Sequence, residues 1–272
     1  MTGRGIESLT STGKRDIIDA LNHNIEGNDL FIFNLESPLD NNAVSSGIMD
    51  LTASPGFLDM FTNKTIIAAT LANNHSLDND SIGLLQTQEI MNSSGNVGVL
   101  PYPASVHIDL DGQQVLLSSY NALQYDTQEI EGYLAWLKSS CKDIFCIVSI
   151  HWGKEYVVSP GSDQRMLAEQ IAQAGVELIL GHHPHVLQPV EWIETGNGKT
   201  LVAYSMGNLV FDMTLPDARR TGLLVIEIKD NEILDVCAIP LVLSPGSWLL
   251  REPEPAERTA ILDRLGIPQC DN

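Results

Sequence analysis

The chain has 272 residues, 43% of them hydrophobic, enough to bury a large core and ordinary for a globular protein. Against 15 Lys and Arg stand 35 Asp and Glu, a net charge of −20, so the average surface field repels phosphate backbones and anionic lipid. Nucleic-acid and membrane-surface binding are set aside on that ground, while a small anionic substrate stays open because a bound cation reverses the field locally.

The amino-terminal residues show no basic segment followed by an apolar one, and no apolar run approaches the ~18–20 residues of a spanning helix. As written the chain reads as cytoplasmic, with no membrane segment. Residues 10–23 have helical spacing, with Ile17, Ile18 and Leu21 on one face. Residues 29–34 read as a buried strand ending at Asn34-Leu-Glu-Ser-Pro38, so that Glu36 sits just past a strand terminus. A short helix is expected over 54–62 and a strand over 65–71, the latter ending at Asn73-Asn74-His75. Helical periodicity returns over 80–92 through Ile82, Leu84, Leu85 and Ile90, followed by extended chain over 95–100.

Residues 113–120 read as a strand and 127–139 as a helix. The most β-like run, 143–150, stops at His151-Trp-Gly-Lys-Glu-Tyr156. A helix over 163–174 leads through Gly175 into a strand that ends at Gly181-His-His-Pro-His185. Beyond it, strands over 186–193, 199–205, 222–229 and 233–239 are separated by Gly, Asn and Asp turns. Strands and helices alternate first and strands dominate later, which predicts two packed sheets with helices outside. Residues 251–258 are Pro- and charge-rich, and a short helix to Leu265 and a polar terminus are expected after them, so that 251–272 read as a polar C-terminal tail. Cys141, Cys146, Cys237 and Cys270 show neither Cys-x-x-Cys spacing nor scaffold density and read as reduced packing residues.

The strand ends collect Glu36, Asn74, His75, His151, His183 and His185, donors suited to Zn²⁺, Mn²⁺ or Fe. A single His after a strand is more often a buried packing group. Three strand ends converging on four His favour a metal site. His183 and His185, two apart in extended chain, point the same way, and His182 points to the other side. His23 and His107 lie on polar segments and read as surface residues.

Asn34-Leu-Glu36, Ala72-Asn-Asn-His75, His151-Trp-Gly-x-Glu-Tyr156, Gly181-x-His-Pro-His-Val-Leu-Gln188 and Tyr204-Ser-x-Gly-Asn208 together resemble the bacterial capsule-synthesis family CapA, the poly-γ-glutamate capsule proteins. That family is similar to the calcineurin-like metallophosphoesterases. The resemblance implies an α/β fold, a four-layer α/β/β/α sandwich of two mixed sheets, over residues 1–250. It implies a divalent cofactor, one or two ions of Mn, Zn or Fe, with Glu36 bridging, Asn74, His151 and His183 on the second position and His185 on the first. His75 is then the acid, and Arg4 has the donor fork to hold a phosphate. Trp152, Glu155, Tyr156, Gln188 and Asn208 would line the pocket or brace the ligands.

The implied activity is hydrolysis of a phosphoester, or a polyglutamate-related substrate, by in-line attack of metal-bound hydroxide. The alternative is a non-catalytic factor for capsule polymer assembly or export with a structural metal, working with the capsule synthesis machinery. One part of the family pattern is missing: a strand ending in Gly-Asp ahead of Gly3-Arg4-Gly5. Either a first strand and an anchor precede Met1, placing the protein at the membrane or outside the cytoplasm, or the site holds a single ion and hydrolyses weakly.

Overall fold

The computed structural model describes residues 29–42, 51–60, 66–124, 126–196, 198–246 and 250–271. The helix expected over 10–23, His23 and Arg4 lie outside them. Twelve strands are present among the described residues. A six-stranded sheet has the order β4 (Ser105–Leu110), β5 (Gln113–Asn121), β6 (Phe145–His151), β7 (Leu178–His182), β9 (Gly198–Ala203), β8 (Val190–Thr195). Its four central strands are parallel and both flanking strands antiparallel. A parallel sheet joins β1 (Leu30–Asn34), β2 (Ile66–Thr70) and β3 (Val97–Val99), and an antiparallel one joins β10 (Arg220–Lys229), β11 (Glu232–Leu243) and β12 (Leu250–Arg251).

The molecule is thus a mixed α/β structure, with three hydrogen-bonded sheets among the described residues where two were expected. Among the described residues β1 pairs with β2 alone, so the parallel and antiparallel trios are separate sheets there. Strand β4 is an addition to the expected elements, although its run, Ser-Val-His-Ile-Asp-Leu, alternates polar and apolar residues as a half-buried strand does. His107 is exposed on it.

Two helices lay a buried stripe on the six-stranded sheet, and the first of them is capped by a side chain. Helix α2 (Thr127–Ser140) starts where the Asp126 carboxylate accepts the Glu129 N–H at 2.8 Å, and it buries Ile130, Tyr133 and Leu137 at helical spacing. Helix α3 (Ser162–Gln173) buries Leu167, Ala168, Ile171 and Ala172. Both pack on one face of the six-stranded sheet, around Val148, Ile150, Ile179 and Val202. The other face packs Val115, Leu117, Ile147 and Leu201 against Ala68, Val99, Ala238 and Val242 of the two smaller sheets.

Helix α1 (Asp80–Ser93) corrects the expected apolar stripe. It turns Gly83, Thr87 and Met91 inward and leaves Ile82 and Leu85 64% and 56% exposed. Thr87 fixes this rotation: its hydroxyl donates to the Gly83 carbonyl and accepts the Leu39 N–H at 2.9 Å. Within 251–272, helix α4 (Pro255–Leu265) has Pro255 in its first turn and buries Ile261 and Leu265 against β10 and β11.

The cysteine reading is also corrected. Cys141 is disulfide-bonded to Cys146, and Cys237 to Cys270. Spacing rules do not see these pairs because the fold makes them: Cys141 ends α2 five residues before Cys146 in β6, and residues 269–270 run alongside β11. Among the described residues no helix is long and apolar enough to cross a membrane.

Candidate metal centre

Parallel strands deliver their carboxyl ends to one edge of a sheet, and four of them build the site. Glu36 follows β1, Asn74 and His75 follow β2, His151 ends β6, and His183 and His185 follow β7. Glu36 is 6% exposed and His151 fully buried. Glu36 lies between two imidazoles, its Oε1 3.9 Å from His151 Nδ1 and its Oε2 3.9 Å from His185 Nε2. Oε1 accepts the Asn34 side-chain N–H at 2.7 Å, whereas Oε2 is buried with no hydrogen-bond partner.

His151 Nε2 stands 2.8 Å from Asn74 Oδ1. Two ligands of one first-row ion, each about 2.0–2.2 Å from it, stand about 3 Å apart, so this pair already has the separation that a shared cation needs. The His151 and His183 rings are 4.8 Å apart and those of His183 and His185 5.9 Å. Burial lowers the pKa of His151 and His183, and the crowding of imidazoles lowers both further. Neutral imidazoles are the ligating form.

Around these donors the structure sets a tier of polar braces. Asn208 Oδ1 accepts from His185 Nδ1 at 2.8 Å, while its amide donates to the carbonyls of His185 and Ala218, both at 3.0 Å. That fixes the His185 tautomer with Nε2 toward Glu36. Asn34 and Asn73, to which sequence reasoning gives no role, form a chain: Asn73 donates to Asn34 Oδ1 at 3.1 Å and to the Leu35 carbonyl at 2.9 Å. Both lie inside the motifs that flag Glu36 and His75, so adjacency is the signal available. His75 Nδ1 is 2.9 Å from Asp78 Oδ2, and the His75 backbone N–H donates to Asn73 Oδ1 at 3.0 Å. Nothing in the sequence singles out Asp78.

The other sequence candidates separate by position. Trp152 is buried, stacks on Tyr204 at 5.6 Å and donates through its indole N–H to the Tyr204 carbonyl at 3.0 Å, which makes it a brace between strands. That bond passes over Gly181, where a Cβ would fall 2.2 Å from the Tyr204 oxygen. Gln188, fully buried, accepts from Gln164 and donates to the Val157 carbonyl at 2.7 Å, pinning the loop after β6. Tyr156 lies 6.1 Å from the His185 ring on the open side. His182 carries a buried Nε2 with no partner, and burial pushes its pKa down to about 4. Glu155, placed in sequence among the pocket residues, has a carboxylate oxygen within 4.8 Å of ring nitrogens of both His183 and His185.

The sequence matches the family model described as bacterial capsule synthesis protein PGA_cap over residues 1–133 and 111–213. It is 45% identical over 85 residues to the PGA biosynthesis protein CapA of Bacillus subtilis (strain 168), a match covering 31% of this chain and 21% of that one. It is 38% identical over 120 residues to the capsule biosynthesis protein CapA of Bacillus anthracis, covering 43% and 26%. The matched stretches thus span only 21% and 26% of the length of these curated relatives. A hypothetical protein from Thermus thermophilus, of known structure, superposes with a TM-score of 0.54 over 87% of this chain and 94% of that chain, at 12% identity, a likeness of fold alone.

Proposed function

This chain belongs to the bacterial capsule synthesis protein family PGA_cap, and we propose that it is a metal-dependent, phosphoesterase-like protein of poly-γ-glutamate capsule synthesis. One observation carries the reading. Glu36 is a buried carboxylate with an unpartnered oxygen, held at equal distance from two imidazoles. A carboxylate in that setting costs several kcal/mol unless a positive charge compensates it, and burial disfavours the charged form of His151 beside it. The donor set of carboxylate, amide and neutral imidazole fits Mn, Zn or Fe.

In this reading Glu36, Asn74, His151, His183 and His185 hold the metal, one ion or two. When bound, it supplies Lewis-acid stabilisation to phosphoryl oxygens and lowers the pKa of water toward ~7. The chain's own residues do the rest. Asp78, accepting from Nδ1 of His75, leaves Nε2 as the nitrogen that hands a proton to the leaving oxygen. Asn208 keeps Nε2 of His185 turned inward, and Asn34 keeps Glu36 from rotating away. Arg4 enters as the phosphate-binding donor by resemblance.

The apolar clusters on both faces of the six-stranded sheet support a four-layer α/β/β/α arrangement as the frame, and α4, beyond the expected boundary at 250, packs into the same core. The two disulfides support an oxidising location, outside the cytoplasm. A second reading is a non-catalytic assembly or export factor with a structural metal, in keeping with the relatives' names, which state biosynthesis. Turnover of an aryl phosphodiester with added Mn²⁺ decides between them. The enzyme reading expects turnover that His75→Ala and His183→Ala each remove; equal turnover in both variants and the parent rejects it.

A further inference from the structure

Glu155 offers a carboxylate oxygen that clusters with ring nitrogens of two of the site's histidines, and the family resemblance gives it no role as a ligand. We infer that Glu155 joins His183 and His185 as a carboxylate ligand for a divalent cation in this centre. The inference rests on the metal-centre part of the proposed function and is independent of any turnover.

Several features of the chain aim Glu155 at that place. The Trp152 backbone N–H donates to the His182 carbonyl at 3.1 Å and the Tyr156 N–H to the Pro184 carbonyl at 2.8 Å. These two bonds run residues 152–156 alongside the histidine loop, so Glu155 lies in register with it. Gly153, at φ +79°, makes the turn between them with the Gln164 side chain pressed against it, 2.6 Å from where a Cβ would stand. Beyond Glu155, the Gln188 amide holds the Val157 carbonyl. The backbone is fixed on both sides of a residue that is itself exposed, with room for its side chain to rotate.

Two more observations point to a ligand. His183 has a buried Nδ1 with no hydrogen-bond partner. His183 and His185 both take positive φ, +96° and +57°, in a loop shaped so that its two imidazoles approach the same carboxylate. The three ligand atoms lie within 4.8 Å of one another, wider than the roughly 3–4 Å expected around one ion with 2.0–2.2 Å bonds, so binding has to draw them together. Glu36 Oε2, 3.9 Å from His185 Nε2, stands on the inner side of the same position. Carboxylate and imidazole together select Zn²⁺, Mn²⁺, Co²⁺ or Fe²⁺ over Mg²⁺ or Ca²⁺.

The test is titration of the metal-free full chain with Co²⁺, followed by calorimetry and by ligand-field absorption, in the parent, Glu155→Gln and His151→Ala. Glu155→Gln should lower affinity at one position by about 10–100-fold and alter the band intensities at saturation, because a ligand is lost. His151→Ala, which removes a neighbouring donor beside Glu36, should lower affinity and alter the bands as well, and serves as the reference for a lost ligand. A weaker affinity with an unchanged saturated spectrum would mean that Glu155 acts only through its field, and unchanged affinity would mean that it does not act at all; either overturns the inference, as does a parent that binds no metal. Binding through Glu155 without any phosphodiester turnover would reject the enzyme reading and leave this one standing.

Discussion

Asn208 Oδ1 lies 2.8 Å from Nδ1 of His185, and the same amide donates to the backbone carbonyl of His185. One side chain thereby fixes both the tautomer and the backbone of His185. Outer contacts of this kind are worth about 10–100-fold in metal affinity. Asn208→Ala should cost that much at the position that includes His185, read by calorimetry. It should also cost about 1–3 kcal/mol of stability, since the buried His185 and Ala218 carbonyls lose their donor.

Gly181 permits the close approach of Trp152 to the Tyr204 carbonyl. A Cβ at 181 would fall 2.2 Å from that oxygen and 2.4 Å from the indole nitrogen, and the obstacle is backbone on one side and a packed ring on the other. Gly181→Ala should therefore destabilise the fold by about 3 kcal/mol or more in urea denaturation. A loss under about 1 kcal/mol would show that β7 and β9 shift apart easily.

The two disulfides should differ in worth according to the chain they close. Cys237–Cys270 spans 33 residues of separation and Cys141–Cys146 only 5. By loop entropy, paired Cys→Ser replacement should cost about 3–4 kcal/mol for the first and about 2 kcal/mol for the second. Equilibrium unfolding of the two double variants checks the order, and the reverse order would contradict an entropic origin.

Glu177 accepts the Cys146 N–H at 2.6 Å, yet burial pushes its pKa up to about 7. The fold therefore prefers the protonated acid. Its contribution is complete below the ordinary value of 4.5 and is lost as pH rises through about 7. Glu177→Gln, which keeps an acceptor for that N–H, should flatten the decline in stability between about pH 5 and 8. Parallel curves for the two proteins across that interval would refute the assignment.

Much of this is legible in the chain. Each parallel strand of the site announces itself as an apolar run ending in a polar donor, because strands buried on both faces leave no other pattern. Glu36, Asn74, His151, His183 and His185 stand out that way, and they meet at one edge of the fold. What stays hidden depends on partners distant in sequence. Nothing local says that Asn73 will reach Asn34, that Asn208 will meet His185 across 23 residues, or that Cys237 will find Cys270. The rotation of α1 is hidden for a related reason: Ile82 and Leu85 carry the hydrophobic signal, but a hydroxyl at Thr87 with a distant backbone donor at Leu39 sets the face that turns inward.

The positive φ angles of His183 and His185 set the site against the fold. Left-handed backbone at a non-glycine residue costs about 1–3 kcal/mol, and here two such residues flank a single proline. Glycine at 183 would relieve that strain and raise the melting temperature while deleting a donor. The loop is therefore a place where a substitution chosen for stability alone would be glycine, and each imidazole stands there at a cost that stability does not repay.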